Sequence, residues 1–559
     1  MKARSWARAS AEGLTFKAYR GDGCALLAFD LDASLAPDLA GFAVQYTPPA
    51  EEPQWILNRL SFTRAVTSDT TPSQRRWTPT NVAPLQKFQW AHFPPDVVQG
   101  SYRYRTTAML FVDEDGSKLA EGPSAELDLP LVETEQERFE LGLTRGYISS
   151  QAYADKFGNA AIRPKPATLD YDTAPFEEQY AWLGSHARQL IVAFLAECVA
   201  DPSVTVDAFA YDLDEPTVVR ELEKLGSRLR IYLDDSASHA EAGALEVDAK
   251  ARLITSAGAA NVRSGHFSRY AHDKVLIQKR AGQPTKVLTG SANFSVRGLY
   301  VQANSVLLLD EPGVADLYAR VFEQTWDDAA GFAASDLAGR WFAVRRAGVP
   351  RMSASFAPHK AAEVSLDRVA DAIAAADSSV LFAVMELGGT GRVLEELRNL
   401  ASKGNIFSYG MTQRADGSLS VVPPARQRGL LVPFAYLSAK VPQPFRAEWS
   451  GGQGQVIHHK FVVVDFNDSA PVVFTGSSNL AAGGETSNGD NLLAVYDRAV
   501  ATAYAVEAIR LVDHYYFRAL QRKATSSEPL RLRTRSERWW QSAYADGSIK
   551  QTSRALFAR

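Results

Sequence analysis

Cysteine is nearly missing from this chain. Its 559 residues contain two, Cys24 and Cys198, far apart and each in a largely apolar run. Two such residues exclude a disulfide framework or a thiolate metal site and are expected to be buried free thiols. Long hydrophobic runs are missing too. No stretch of about 18 apolar residues occurs, so no integral membrane segment is expected. The N-terminus MKARSWARASAEG is basic but has no apolar run behind it. It does not read as a secretory signal, and a cytoplasmic or leaderless protein is the expectation. A basic excess is also lacking: 60 Lys and Arg stand against 64 Asp and Glu, a net charge of −4. That balance disfavours a dedicated nucleic-acid binder. The exception is the tail from Arg522 to Arg559, with nine basic residues against three acids. It reads as a solvated or docked terminal segment. No His/Asp/Glu cluster shows metal-ligand spacing, so neither metal nor other cofactor is expected.

What is present suits a globular fold. Apolar residues make up 46% and charged residues 22%, enough to bury several cores without staples. Residues 1–131 read as an all-β accessory domain. Short alternating runs recur there, among them Leu14–Tyr19, Ala25–Leu31, Lys87–Phe93 and Tyr102–Val112, with prolines between them. Strands at this spacing predict a β-sandwich. The segments GFAVQY (41–46) and GSYRYRTTAML (100–110) resemble the central strands of a fibronectin type III or immunoglobulin-like module. Trp55, Trp90 and Tyr104 are expected in its core. Residues 132–175 form a polar linker with helical stretches, and after it the pattern turns α/β.

An internal repeat organises the rest. HDKVLIQKRAGQPTKVLTGSANFS (272–295) returns as HHKFVVVDFNDSAPVVFTGSSNLA (458–481), an offset of 186. Upstream, 203–226 echoes 378–401; downstream, 301–311 echoes 489–498. Each copy is an α/β unit with a mostly buried sheet. The halves span 176–345 and 346–525, with a tail at 526–559. The second half carries an insertion, Met411 to Gln455, rich in Pro, Phe and Tyr.

Both copies hold His-x-Lys and Gly-Ser-x-Asn: His272, Lys274, Gly290, Ser291 and Asn293, then His458, Lys460, Gly476, Ser477 and Asn479. With Asp465 after four further residues beyond Lys460, five positions on, this resembles the HKD signature of the phospholipase D superfamily. The first copy departs from it, with Lys279 at the aspartate position. The resemblance covers about 365 residues. It implies two halves related by a pseudo-twofold axis, with one histidine and one lysine from each at a single phosphate site. A strand places residues i and i+2 on one face, so His and Lys reach the same cleft. Lysine heads and amide donors neutralise the oxygens of a phosphodiester. One imidazole attacks phosphorus to form a phosphohistidine and the other protonates the leaving alcohol.

The family also places a carboxylate just before an asparagine after the second turn. Asp490 fits in the second half. The first half offers no carboxylate there, and Gln302 or Asn304 is left to take its place. Ser291 and Ser477 are expected near the phosphate, and Asp465 at a turn or strand end. His459 points to the face opposite His458, and His266 is a weaker candidate for the cleft mouth.

The resemblance implies a phosphodiesterase, with a phospholipid as the favoured substrate. The apolar, proline-stiffened segment GLLVPFAYLSAKVPQPF (429–445) suits an acyl chain or a bilayer. A metal-independent nuclease is the alternative. Its support is the leaderless N-terminus and the basic, aromatic stretch RLRTRSERWW (531–540). A binding-only member of the same fold is the third reading.

Overall fold

Strand Ser101–Phe111 buries every second residue at its start, with Tyr102, Tyr104 and Thr106 inward and Ser101, Arg103 and Arg105 outward. That period belongs to one face of a packed sheet. In the computed structural model it lies second in a four-stranded antiparallel sheet, Leu119–Pro130, Ser101–Phe111, Leu39–Thr47 and Gln54–Trp55. A second sheet, Trp6–Ala11, Leu14–Arg20, Ala25–Leu31 and Gln89–His92, faces it. Phe29 and Phe42 stack across the gap with ring centroids 4.6 Å apart. This N-terminal region is a β-sandwich. Tyr104 is fully buried in it, whereas Trp55 and Trp90 are only partly covered. The structure describes residues 5–71, 74–132, 138–146, 150–385, 391–400, 406–413, 419–422, 430–432 and 457–559.

The α/β part holds two mixed sheets. In the first the order is Phe139–Leu143, Ser305–Leu309, Gln283–Gly290, Val275–Arg280, Val204–Ala210, Leu229–Asp234 and Val262–Gly265. In the second it is Phe342–Val344, Arg351–Ala357, Asp490–Tyr496, Val472–Gly476, Lys460–Val464, Ser379–Val384, Phe407–Gln413, Leu419–Val422 and Leu430–Val432. The offset of 186 survives in the ladders. Leu276 pairs with Leu288 as Val462 pairs with Phe474, and Gly290 with Val306 as Gly476 with Leu492. The sheets meet where Gln283–Gly290 approaches Val472–Gly476. One continuous apolar core runs through both halves and into the sandwich at Tyr19, Cys24, Leu26 and Ala28. Both cysteines are free and buried.

One expectation changes here and another, left open, is decided. The linker is not merely a tether: buried Phe139 and Leu143 make Phe139–Leu143 an edge strand of the first sheet. The tail is docked, not solvated. Trp539 Nε1 donates to Leu39 O at 2.9 Å, Tyr544 Oη to Leu31 O at 2.6 Å, and Tyr19 Oη to Phe557 O at 2.7 Å. Several of its arginines are paired: Arg531 and Arg533 with Glu537, and Arg535 with Asp38. The stretch read as suited to base stacking is therefore committed to the sandwich. Of the apolar segment 429–445, only 430–432 falls among the described residues, as a strand. No helix among the described residues is long and apolar enough to cross a membrane.

Helix Arg498–Lys523 fastens the second half internally. Its Glu507 accepts from His459 Nε2 at 3.0 Å and from Arg510 Nε at 2.6 Å, all three groups being buried. Burial alone raises the Glu507 pKa, but Arg510 and His459 overcome it and hold it at about 2. Removing one member of such a buried set leaves an unmatched charge, at a cost of about 3–5 kcal/mol. Glu507→Gln should lower stability by that order in urea or thermal unfolding. The depressed carboxyl contributes fully above its ordinary value of 4.5, and the contribution is lost as pH falls through about 2. The gap between wild type and variant should therefore close over that acid range.

Candidate active site

The two His-x-Lys segments arrive from opposite halves and stop facing each other. Each runs into a strand that is central in its sheet, Val275–Arg280 or Lys460–Val464. Each is followed by a strand ending in a glycine at a tight turn. Gly290 and Gly476 have φ of +147° and +149°, and a Cβ on either would lie 2.3 Å from a carbonyl oxygen of the neighbouring strand. Only glycine fits where the backbone turns this closely.

His272 and His458 are each 4% exposed, with ring centroids 6.5 Å apart. Each is held at Nδ1 by the other half. His272 Nδ1 meets Asp490 Oδ1 at 2.7 Å. His458 Nδ1 meets Asn304 Oδ1 and Ser291 O, both at 3.0 Å. With Nδ1 occupied in both rings, Nε2 remains for chemistry. Lys460 Nζ donates to His458 O at 2.8 Å, and Lys274 Nζ donates to His272 O. The Lys274 ammonium also sits 4.5 Å from the centroid of the Tyr211 ring.

Burial sets the charge states. It drives His272 down to about 4, with help from Lys274 and against Asp490. It also drives His458 well below its ordinary value, assisted by Lys460 and Lys274. Burial likewise lowers Lys274 to about 8, partly offset by Asp490 and Asp212, and takes Lys460 well below its usual value. Asp490 resists its own burial, because His272 and Lys274 hold its carboxyl low. The His272–Asp490 contact is thus a neutral ring N–H donating to a carboxylate.

The other expected residues divide. Asn293 is buried, and its Nδ2 donates to Asp212. The Oδ1 atoms of Asn293 and Asn479 are buried with no protein partner. Ser291 and Ser477 turn inward. Ser291 Oγ donates to Asn304 Oδ1 at 2.8 Å and accepts from Ser305 N, while Ser477 Oγ donates to Asp273 at 3.2 Å and accepts from Asn491 N. They back the brace residues. Asp465 stands at a turn outside the cleft, accepting from the backbone N–H groups of Asp377, Ser378 and Ser379. Lys279, its counterpart, pairs with Asp207 and Glu323. His459 turns to Glu507, and exposed His266 meets Asp235 at 2.6 Å.

Gln302 needs correction as a partner of His458. Its side-chain Oε1 is buried without a partner, and its backbone carbonyl accepts from Thr144 Oγ1 at 2.7 Å. Asn304 is the residue 186 positions before Asp490, so an unbroken register already pointed to it. Thr144 from the linker fixes Asn304 in turn: Asn304 N donates to Thr144 Oγ1 at 2.9 Å and Thr144 N to Asn304 O at 3.0 Å. Asp212, His239 and Asp234 also stand at the site, with no distinguishing pattern in the sequence. Asp212, His239 and Glu246 form a group whose ligand-type atoms lie within 4.8 Å of one another. The sequence reading found no such cluster, because the fold assembles it from three separate segments. Both His239 nitrogens are committed to carboxylates, which leaves that ring no lone pair for a cation.

A family model, described as the cardiolipin synthase PLD-like domain, matches residues 202–326 and 369–512. The chain belongs to the phospholipase D superfamily, with two such halves and an N-terminal β-sandwich. Among solved structures it is similar to phosphatidylserine synthase from Haemophilus influenzae, at 12% identity over 67% of this chain and 91% of that one, TM-score 0.39. It is also similar to polyphosphate kinase from Porphyromonas gingivalis, at 13% identity over 64% of this chain, TM-score 0.38; the match spans 55% of that kinase. Nuc, a phospholipase D family member from Salmonella typhimurium, matches at 20% identity over 25% of this chain and 87% of its own, TM-score 0.21. No curated protein matches by sequence.

The brace difference has a direct readout. Asn304→Asp puts a carboxylate against His458 Nδ1, and a nearby negative charge favours the imidazolium. The His458 pKa should rise by at least about one unit in ring-resolved NMR titration. An unmoved His458 would show that residue 304 does not control the ring.

Proposed function

We propose that this chain is a metal-independent phosphodiesterase working through a phosphohistidine. The observation that carries the reading is the pair of buried imidazoles, 6.5 Å apart and each braced at Nδ1 from the opposite half. That spacing suits one tetrahedral phosphorus between two Nε2 atoms, the arrangement in-line displacement needs. Lys274 and Lys460, each two positions from its histidine, and Asn293 and Asn479, each with a buried unpartnered Oδ1, would hold and surround the non-bridging oxygens.

His272 is the nucleophile in this proposal. Its Nε2 forms the bond to phosphorus as the bond to the leaving oxygen breaks. Asp490, on Nδ1, keeps Nε2 unprotonated beforehand and stabilises the positive ring afterwards. His458 gives its Nε2 proton to the leaving oxygen. It then takes a proton from water, or from an acceptor alcohol, which attacks the phosphohistidine and frees His272. Burial keeps His458 neutral. The negative charge of the entering diester raises its proton affinity and loads the acid. A neutral partner such as Asn304 suits a donor, since an imidazolium without a carboxylate beside it is the stronger acid.

A phospholipid fits the surroundings better than a nucleic acid. The basic tail is docked, and its Arg531, Arg533 and Arg535 are paired with acids. Beside Tyr211 lies a cavity of about 240 Å³ whose walls include Asp234, Asp235 and Glu246. His239 and Lys250 line it as well, so its walls come close to charge balance and suit a neutral or zwitterionic alcohol. A nuclease remains the second reading, and a binding-only protein the third.

The test is a parallel assay on phosphatidylcholine vesicles and labelled single-stranded DNA, with EDTA present and His458→Ala as control. Headgroup release that persists in EDTA and disappears in the variant is expected. Cleavage of DNA alone would replace the lipid reading, and activity lost in EDTA and restored by a divalent ion would contradict the mechanism. Asp490→Asn should slow formation of the covalent intermediate by roughly 10²–10⁴-fold in rapid-quench kinetics.

A further inference from the structure

We propose that His239 is a positioning residue of this site, an imidazolium that ties Asn293 to the strand end carrying His272 and screens the bound phosphate anion from the two carboxylates that do the tying. The inference rests on the phosphodiesterase reading above. His239 lies outside both repeated segments, in the connection after strand Leu229–Asp234.

Its ring is used at both nitrogens. Nε2 meets Asp212 Oδ1 and Nδ1 meets Asp234 Oδ1, each at 2.8 Å. Two carboxylates accept only if both nitrogens donate, so the ring is a cation. Each carboxylate then passes its other oxygen to one arm of the site. Asp212 Oδ2 accepts from Asn293 Nδ2. Asp234 Oδ2 accepts at 2.6 Å from the N–H of Ala271, the residue before His272. The Tyr211 ring fills the angle between them, edge-on to His239 at 4.6 Å and to His272 at 4.7 Å. His239 is 8% exposed, and the two carboxylates hold its pKa near 10 against the effect of burial.

The electrostatic consequence follows from the same geometry. Asp212 is close enough to influence both Lys274 and Lys460. Without the imidazolium, Asp212 and Asp234 would present two unmatched negative charges beside a phosphate pocket. One charge at this range in a partly screened site changes anion binding by about 10-fold. A scaffold role predicts only lost order. A charge role predicts that removing a carboxylate repairs the loss of the histidine.

The experiment uses bis-p-nitrophenyl phosphate, a soluble phosphodiester anion, with the full chain. His239→Gln should raise KM by about 10-fold while changing kcat less. Adding Asp212→Asn to that variant should recover most of the KM, because residue 212 keeps an acceptor for Asn293 and loses its charge. Losses that add in the double variant, or an unchanged KM in His239→Gln, would overturn the proposal. Should His239→Gln fail to fold, ¹⁵N NMR of the wild-type ring decides: both nitrogens protonated at pH 8 is expected, and a neutral tautomer overturns it. Failure of the underlying reading shows separately, as hydrolysis that survives His272→Ala.

Discussion

Burying two imidazoles and two ammonium groups around one small space is the constraint on which the α/β structure depends. Each group loses hydration, and like charges face each other at close range. The fold resolves this by exchange between halves. The second half lends Asp490 to His272, and the first lends Asn304 to His458. Neither half holds a complete set alone. The continuous core, the turns at Gly290 and Gly476, and the inward serines all keep these two exchanges in register.

The exchange is unequal, and the inequality is chemically meaningful. A carboxylate stabilises positive charge on its imidazole, whereas an amide fixes the tautomer and does little for the charge. The flanks differ as well. Asp273 follows His272 and binds Ser477 and Asn491 of the other half. His459 follows His458 and joins the buried Glu507–Arg510 pair. One half-site is thus tied into the interface and the other into its own helix. In the proposed mechanism this division separates the nucleophile from the acid.

Much of this was legible in the sequence, and the reasons are physical. The strands repeat because the same ladders must form twice, so a constant offset of 186 survives from His272 to Asn293 and from His458 to Asn479. That repeat located both histidines and both lysines, and the family resemblance added Asp490. The brace on His458 was left open between Gln302 and Asn304, although strict use of the offset selects Asn304. Thr144, Asp212 and His239 could not be read, because their roles come from tertiary neighbours that no local spacing encodes. The edge strand Phe139–Leu143 was hidden for the same reason: a five-residue strand in a polar stretch shows little period. The tail's charge left docking and solvation open, because its acid partners Asp30 and Asp38 lie some 500 positions away in the sandwich.

Which ring carries the phosphoryl group decides the proposed mechanism. Rapid acid-free quenching of the enzyme during turnover of an activated phosphodiester, followed by peptide mass spectrometry, reads this directly. Phosphorylation of His272, retained in reduced amount in His458→Ala and absent from His272→Ala, is the predicted result. A phosphoryl group on His458, or hydrolysis at full rate with neither histidine modified and both replaceable, would contradict it.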